Sequence, residues 1–116
     1  MYSNFRFRIR HEGRHVAGFS VIDAPRTPAA PITLERGVTH DAEFEQWASR
    51  SGKREGEAGP RDLEIDVFNE EGRQLASYHL RGCRISKYLG MPYMDSRSVA
   101  IRTLRIDNDG WSEQDS

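Results

Sequence analysis

His40 and Asp41 stand side by side in ITLERGVTHDAEFEQW (residues 32–47), an imidazole next to a carboxylate. Such a pair could serve as a general base and its orienting acid. Neighbours in sequence seldom meet in the geometry that task needs, and no GxSxG nucleophile pattern occurs in the chain. Thr39 and Asp41 are also residue types that cap helix N-termini, which gives the cluster a sufficient architectural reading. A second possible chemistry lies in His11, His15, His79 and Cys83, the residue types of a zinc site. HxxxH joins two ligands when both lie on one helix face. Here the pair straddles a glycine-containing turn, so surface histidines and a buried thiol are expected, with no metal and no cofactor. Arg6, Arg8 and Arg10, together with Arg102 and Arg105, would make a basic face for phosphates. Phe5 and Phe7 alternate onto the opposite face, where they cannot stack on bases. These arginines are therefore candidate subunit-contact residues on a solvated face, and nucleic acid is not expected as a specific ligand. Gly13, Gly18, Gly37, Gly72 and Gly90 are isolated, and none builds a phosphate-cradling loop. No enzyme signature is present, and the chain is expected not to be an enzyme.

Those side chains need a scaffold, and the composition allows one. The chain has 116 residues, 36% hydrophobic and 30% charged, with a formal net charge of −1. That is enough for one core without disulfides, and a single domain over 1–116 is expected. A near-neutral total gives no general attraction to nucleic acid or anionic membranes. Arginines crowd the first segment while acids crowd residues 41–71, so two patches of opposite sign are expected. Cys83 is the only cysteine, consistent with a reducing place of synthesis. No apolar run reaches the ~18 residues of a membrane span, and the N-terminus has no apolar signal region.

Strict alternation of Phe5, Phe7 and Ile9 with Arg6, Arg8 and Arg10 predicts a first strand over 4–10. A turn at His11, Glu12, Gly13 and Arg14 leads to a second strand, 15–23, with Ala17, Phe19 and Val21 on one face. APRTPAAP (24–31) carries three prolines and reads as a connector or edge. A short strand from Ile32 to Arg36 follows, with Ile32 and Leu34 inward. The spacing then predicts a helix over about 40–51, capped by Thr39 or Asp41, anchored by Phe44 and Trp47 and stopped at Gly52. GKREGEAGP (52–60) reads as a mobile loop. Strands are predicted at 62–69, 73–81, 84–89 and 98–107, with a loop over 90–96. In the last strand the apolar positions change phase between Val99/Ile101 and Leu104/Ile106, so a bulge or two covered faces are expected. Residues 112–116 are expected to fray. The sum is a mainly β protein: a small antiparallel sandwich or barrel of six or seven strands with one short helix.

The ordered set NFRFRIR, HVAGFSVID, ITLERGVTHDAEFEQWAS, DLEIDVFNEEGRQLASYHLRGCRISKY and SVAIRTLRIDNDGW resembles the bacteriophage tail-tube protein family, which also supplies the inner tubes of contractile injection systems. AGFS (17–20), ITLERGVT before the Trp47 helix, and VAIRTL (99–104) are its most specific pieces. The resemblance implies a structural subunit made in the bacterial cytoplasm. Such subunits join copies of themselves into six-fold rings through edge strands, and the rings stack inside a sheath within a phage or injection-system particle. It also implies other tube, sheath or baseplate proteins as partners. APRTPAAP stands where the family has a longer arm toward the neighbouring ring. That shortness implies a ring-former that stacks poorly by itself, a terminal or baseplate-proximal member. The competing expectation is a monomeric or dimeric β-barrel module that binds protein or nucleic acid.

Overall fold

Glu12 and Gly13 both have positive φ, 52° and 82°. The tight turn they make folds β1 (Phe7–His11) back on β2 (Arg14–Asp23), with a twist that suits a hairpin. The remaining elements of this computed structural model, which describes residues 2–23, 27, 29–51, 59–92 and 98–114, are β3 (Ile32–Thr39), α1 (Ala42–Ser51), β4 (Arg61–Phe68), β5 (Gln74–Pro92), β6 (Val99–Asp107) and β7 (Gly110–Gln114). Pairing runs β1–β2–β3–β6–β5–β4 and returns to β1, so six antiparallel strands close into a barrel. Beyond Asn108 and Asp109, β7 carries on in the direction of β6 along the same edge of β5, with Trp111 opposite Leu80.

The interior is apolar: Ile9, Phe19, Leu34, Leu80, Leu104 and Ile106 are fully buried. One end of the barrel is closed by α1, whose Phe44, Trp47 and Ala48 are buried at one-turn spacing, as the sequence predicts. The Trp47 indole N–H donates to the Gly59 carbonyl at 2.8 Å, fixing the ring over that end. A helix this short needs such a platform, since it is marginal alone.

Closing a barrel with six strands requires the sheet to bend, and the bend falls on a line across three strands. Inward residues are Ala17, Phe19, Gly37 and Ile101 on one side of the line and Leu34, Leu104 and Ile106 on the other. Between them Ser20, Arg36 and Arg102 drop out of the pairing, and Arg36 takes φ 57°. The pairing count is kept, Glu35 with Thr103 and Gly37 with Ile101. The phase change in VAIRTL is thus a kink in step with β3 and, against β5, the bulge the sequence allows for, since Leu89 pairs with Thr103 and Gly90 with Ile101 while Arg102 is left over. Gly37 makes it possible: the Phe19 ring lies against its Cα, where any side chain would overlap the ring and the Gly18 carbonyl oxygen.

Several expectations change. Val21 was expected inward with Ala17 and Phe19, but the kink turns it outward, 38% exposed, and Ile22 packs on the core instead. The separate strands at 73–81 and 84–89 and the loop from Gly90 are one 19-residue strand, β5. Gly82, at φ 59°, sits where β5 exchanges β4 for β6 as its partner. Residues 112–114, expected to fray, pair with β5 between Ser77 and His79. The predicted stop at Gly52, residues 52–58 of the loop that follows it, half of APRTPAAP and residues 93–96 of the loop predicted over 90–96 lie outside the described residues. Replacing Gly37 by Ala should cost about 3 kcal/mol or more, because neither backbone nor ring can retreat from a packed core. Urea unfolding of Gly37→Ala against wild type measures it, with Gly59→Ala, where a methyl meets nothing, as the control.

Candidate functional site

Asp41 caps α1. Its Oδ1 accepts the Phe44 N–H at 2.8 Å and Oδ2 pairs with Arg14. Thr39, the other candidate, ties the preceding residues down: its hydroxyl donates to the Val16 carbonyl at 2.7 Å and accepts the Asp41 N–H at 3.0 Å. Tyr2 acts alongside it, donating to the same carbonyl and accepting the His40 N–H, both at 3.0 Å. His40 stacks on the Tyr2 ring with centroids 5.5 Å apart, and the Ser98 hydroxyl meets its Nδ1. A serine and a histidine therefore do touch. The carboxylate next in sequence is committed to the helix and to Arg14, so it does not complete a relay.

The basic residues divide into two separate sets, because β2 and β3 lie between β1 and β6 in the sheet. Arg6 donates to the Phe68 carbonyl at 3.3 Å, and the Arg8 guanidinium lies 3.6 Å from the Phe68 ring centroid. Arg10 forms a fork on Asp66 at 2.9 and 3.1 Å and reaches Glu64 at 2.6 Å. These three are held by their own chain. Arg102 and Arg105 project from β6 and are exposed, with Arg105 at the 4.0 Å margin of an ion pair with Asp107.

Asp66 is the polar centre that alternation alone missed. It lies on the outward face of β4, yet its side chain is 3% exposed, enclosed by Arg10, His15 and Ser77. Ser77 donates to Oδ1 at 2.7 Å, and His15 Nε2 sits 2.8 Å from Oδ2. Burial would raise this carboxyl, but the hydrogen bonds from Arg10, His15 and Ser77 outweigh burial and hold it down at about 2. The constellation has a serine, a histidine and an aspartate, but both hydroxyl and imidazole point at the carboxylate, which leaves no activated nucleophile. The only available signal was the alternation of Arg10 and Asp66 on strands whose pairing the sequence does not disclose.

Cys83 is fully buried, and burial pushes its thiol up to about 12, so it is inert toward metals and oxidants. His11, His15 and His79 do not converge on it, and no group of three metal-type ligands occurs among the described residues. No described helix is long and apolar enough to cross a membrane.

Two sheet edges remain available. β7 pairs with β5 on one side only, and no described strand pairs with residues 84–92 of β5 on the side away from β6. A barrel whose polar groups serve caps and braces while strand edges stay open belongs to the class of small structural β-proteins. Within that class the match is specific: the family model of the T4-like virus tail tube protein gp19 matches residues 24–112, and the chain belongs to that family of phage tail-tube structural proteins. The matched span holds ITLERGVT, the Trp47 helix and VAIRTL, and leaves out AGFS and the first hairpin. No curated protein matches the chain.

Asp66 yields a pH prediction. Its depressed value means its contribution is complete above its ordinary value of 3.8 and disappears as pH falls through about 2. That contribution is on the order of 2 kcal/mol. Thermal melts should therefore lose stability between pH 4 and pH 2, and Asp66→Asn should flatten that slope. Asp66→Ala removes the shared acceptor of Arg10, His15 and Ser77, though Arg10 keeps Glu64, and should cost about 2 kcal/mol at pH 7.

Proposed function

We propose that this tail-tube protein closes into rings, six-fold as its resemblance implies, by pairing the open edge of β5 in one copy with the open edge of β7 in the next. The observation that supports this is the placement of those edges. They lie on opposite sides of the long β5–β6/β7 ladder, so pairing one with the other carries the sheet on from copy to copy in one direction. Such contact is heterologous, and heterologous contact closes a ring when its rotation allows. Main-chain pairing supplies the adhesion. Arg102, and Arg105 from the margin of its ion pair with Asp107, are the exposed candidate arginines that would meet a neighbour's acids, whereas Arg6, Arg8 and Arg10 contribute by bracing the β1–β4 face that presents the ladder. Only residues 24–31 separate β2 from β3, and this short connector supports a place near a tube end or baseplate, next to other tube, sheath or baseplate proteins.

Cross-linking tests the ring directly. Lys87 and Ser112 are exposed, one beside each open edge, and the native thiol is buried. A Lys87→Cys/Ser112→Cys double variant treated with a short bismaleimide should give a ladder ending in one closed species. Each single variant should stay largely monomeric on a denaturing gel. Monodisperse monomers in sedimentation velocity and negative stain at high concentration, with no ladder, would overturn the ring.

A further inference from the structure

The barrel end opposite α1 holds a cavity of about 310 Å³. Phe7, Ile22, Ile32, Val67, Tyr78 and Trp111 line it, drawn from every strand but β6. Phe7, Ile22, Tyr78 and Trp111 are only partly buried, so the cavity opens to solution. The Tyr78 and Trp111 rings meet edge to face with centroids 5.5 Å apart and form an aromatic wall. The backbone leading to Trp111 is tied down: the Asn108 side chain accepts the Gly110 N–H at 3.0 Å and donates to the Ala30 carbonyl at 3.1 Å. The wall is therefore in place before anything enters, and a preformed site has less ordering to do on binding.

Two polar groups and the volume set what this cavity takes. The Trp111 indole nitrogen is buried without a hydrogen-bond partner among the described residues. An indole N–H only donates, and a buried donor left unmatched carries its desolvation cost until an acceptor meets it. Glu113 stands two residues beyond Trp111 and pairs with Tyr78, so its exposed carboxylate shares their face at the rim. An anion would meet that charge and would lose its own water on entering. An apolar cavity of about 150 Å³ takes benzene, so one twice as large takes about a dozen non-hydrogen atoms.

We infer that this mouth is a binding site for a neutral, largely apolar small molecule with one hydrogen-bond acceptor, an aryl or medium-chain ketone in chemical class. Its hydrocarbon body packs against the aromatic wall and against Ile22, Ile32 and Val67. Its carbonyl oxygen accepts the Trp111 indole N–H, which matches the one buried donor of the wall. The site lies within a single subunit, so it stands or falls apart from the ring proposed above. A ligand held there favours the folded chain, because the mouth exists only when five strands and β7 are assembled.

Three probes of matched shape test this on the full chain: 2-acetylnaphthalene, 2-isopropenylnaphthalene, in which a methylene replaces the oxygen, and the anion 2-naphthoate. With nitrogen-15 in the indoles, the chain's two tryptophans give two signals, which Trp111→Phe assigns. Trp47 already donates to Gly59, so its signal should stay in place. The ketone should move the Trp111 signal downfield and saturably, and should raise the melting temperature. By calorimetry it should bind wild type about ten-fold more tightly than 2-isopropenylnaphthalene, the worth of one hydrogen bond. Trp111→Phe keeps an aromatic side chain but no donor, and should bind the two alike. 2-Naphthoate should bind wild type about ten-fold or more weakly than the ketone, and Glu113→Gln should narrow that gap. The comparisons on wild type and on Glu113→Gln decide the matter even where Trp111→Phe fails to fold. Equal binding of ketone and isopropenyl probe to wild type, or no saturable shift of the Trp111 signal, would overturn the site. So would a Trp111 signal already at a hydrogen-bonded position without probe, or 2-naphthoate that binds as tightly as the ketone.

Discussion

A six-stranded sheet can close on itself only if it bends, and here the bend depends on an aromatic ring lying against a glycine. Phe19 covers Gly37 where Ser20, Arg36 and Arg102 leave the pairing together. Because all three strands kink on one line, the register of β2 with β3 and of β3 with β6 is the same on either side while the inward phase changes. Everything beyond that line is placed by it. Ile22 and Ile32 are brought round to one mouth, Thr39 arrives under the start of α1, and β6 meets β5 over its outer half. Against β5 the same point of β6 is a bulge, which takes up the extra residue while Ile101 and Leu104 both stay buried.

The polar side chains divide along the same lines. Near the helix they serve the turn into it: Asp41 caps, Thr39 and Tyr2 tie the approach to Val16, and Arg14 holds the cap's second oxygen. On the β1–β4 face they brace two strands far apart in sequence, through Arg10 and Asp66. The brace is unequal: Asp66 is enclosed and depends on Arg10, His15 and Ser77 to answer its charge, whereas Arg10 is partly exposed and also reaches Glu64. The chemistry-bearing residue types are thus consumed by the architecture, in keeping with a tail-tube structural family.

Much of this was legible in the chain. Alternation marked the strands, the i, i+3, i+4 spacing of Phe44, Trp47 and Ala48 marked the helix and its buried face, and Glu12-Gly13 marked the hairpin. What local pattern could not show were features fixed by distant partners. Val21 reads as inward because the kink that expels it depends on β3 and β6. Residues 112–114 read as a tail because their stability comes from β5, more than thirty positions earlier. Asp66 reads as solvated because its enclosure requires β1 and β5 on either side of β4. Arg102 and Arg105 resemble Arg6, Arg8 and Arg10 in type alone, since two strands separate them.

β5 pairs with β4 and β7 in its first half and with β6 in its second, without a break over 19 residues. This gives the subunit a mechanical grain. A tug applied at its two ends runs along a single covalent backbone, and the ladders on either side are loaded in shear, with many bonds resisting at once. A pull across the barrel, by contrast, would peel β7 away from β5 one pair at a time. The protein is therefore stiff along one direction and yielding along another, a directional strength built into one strand.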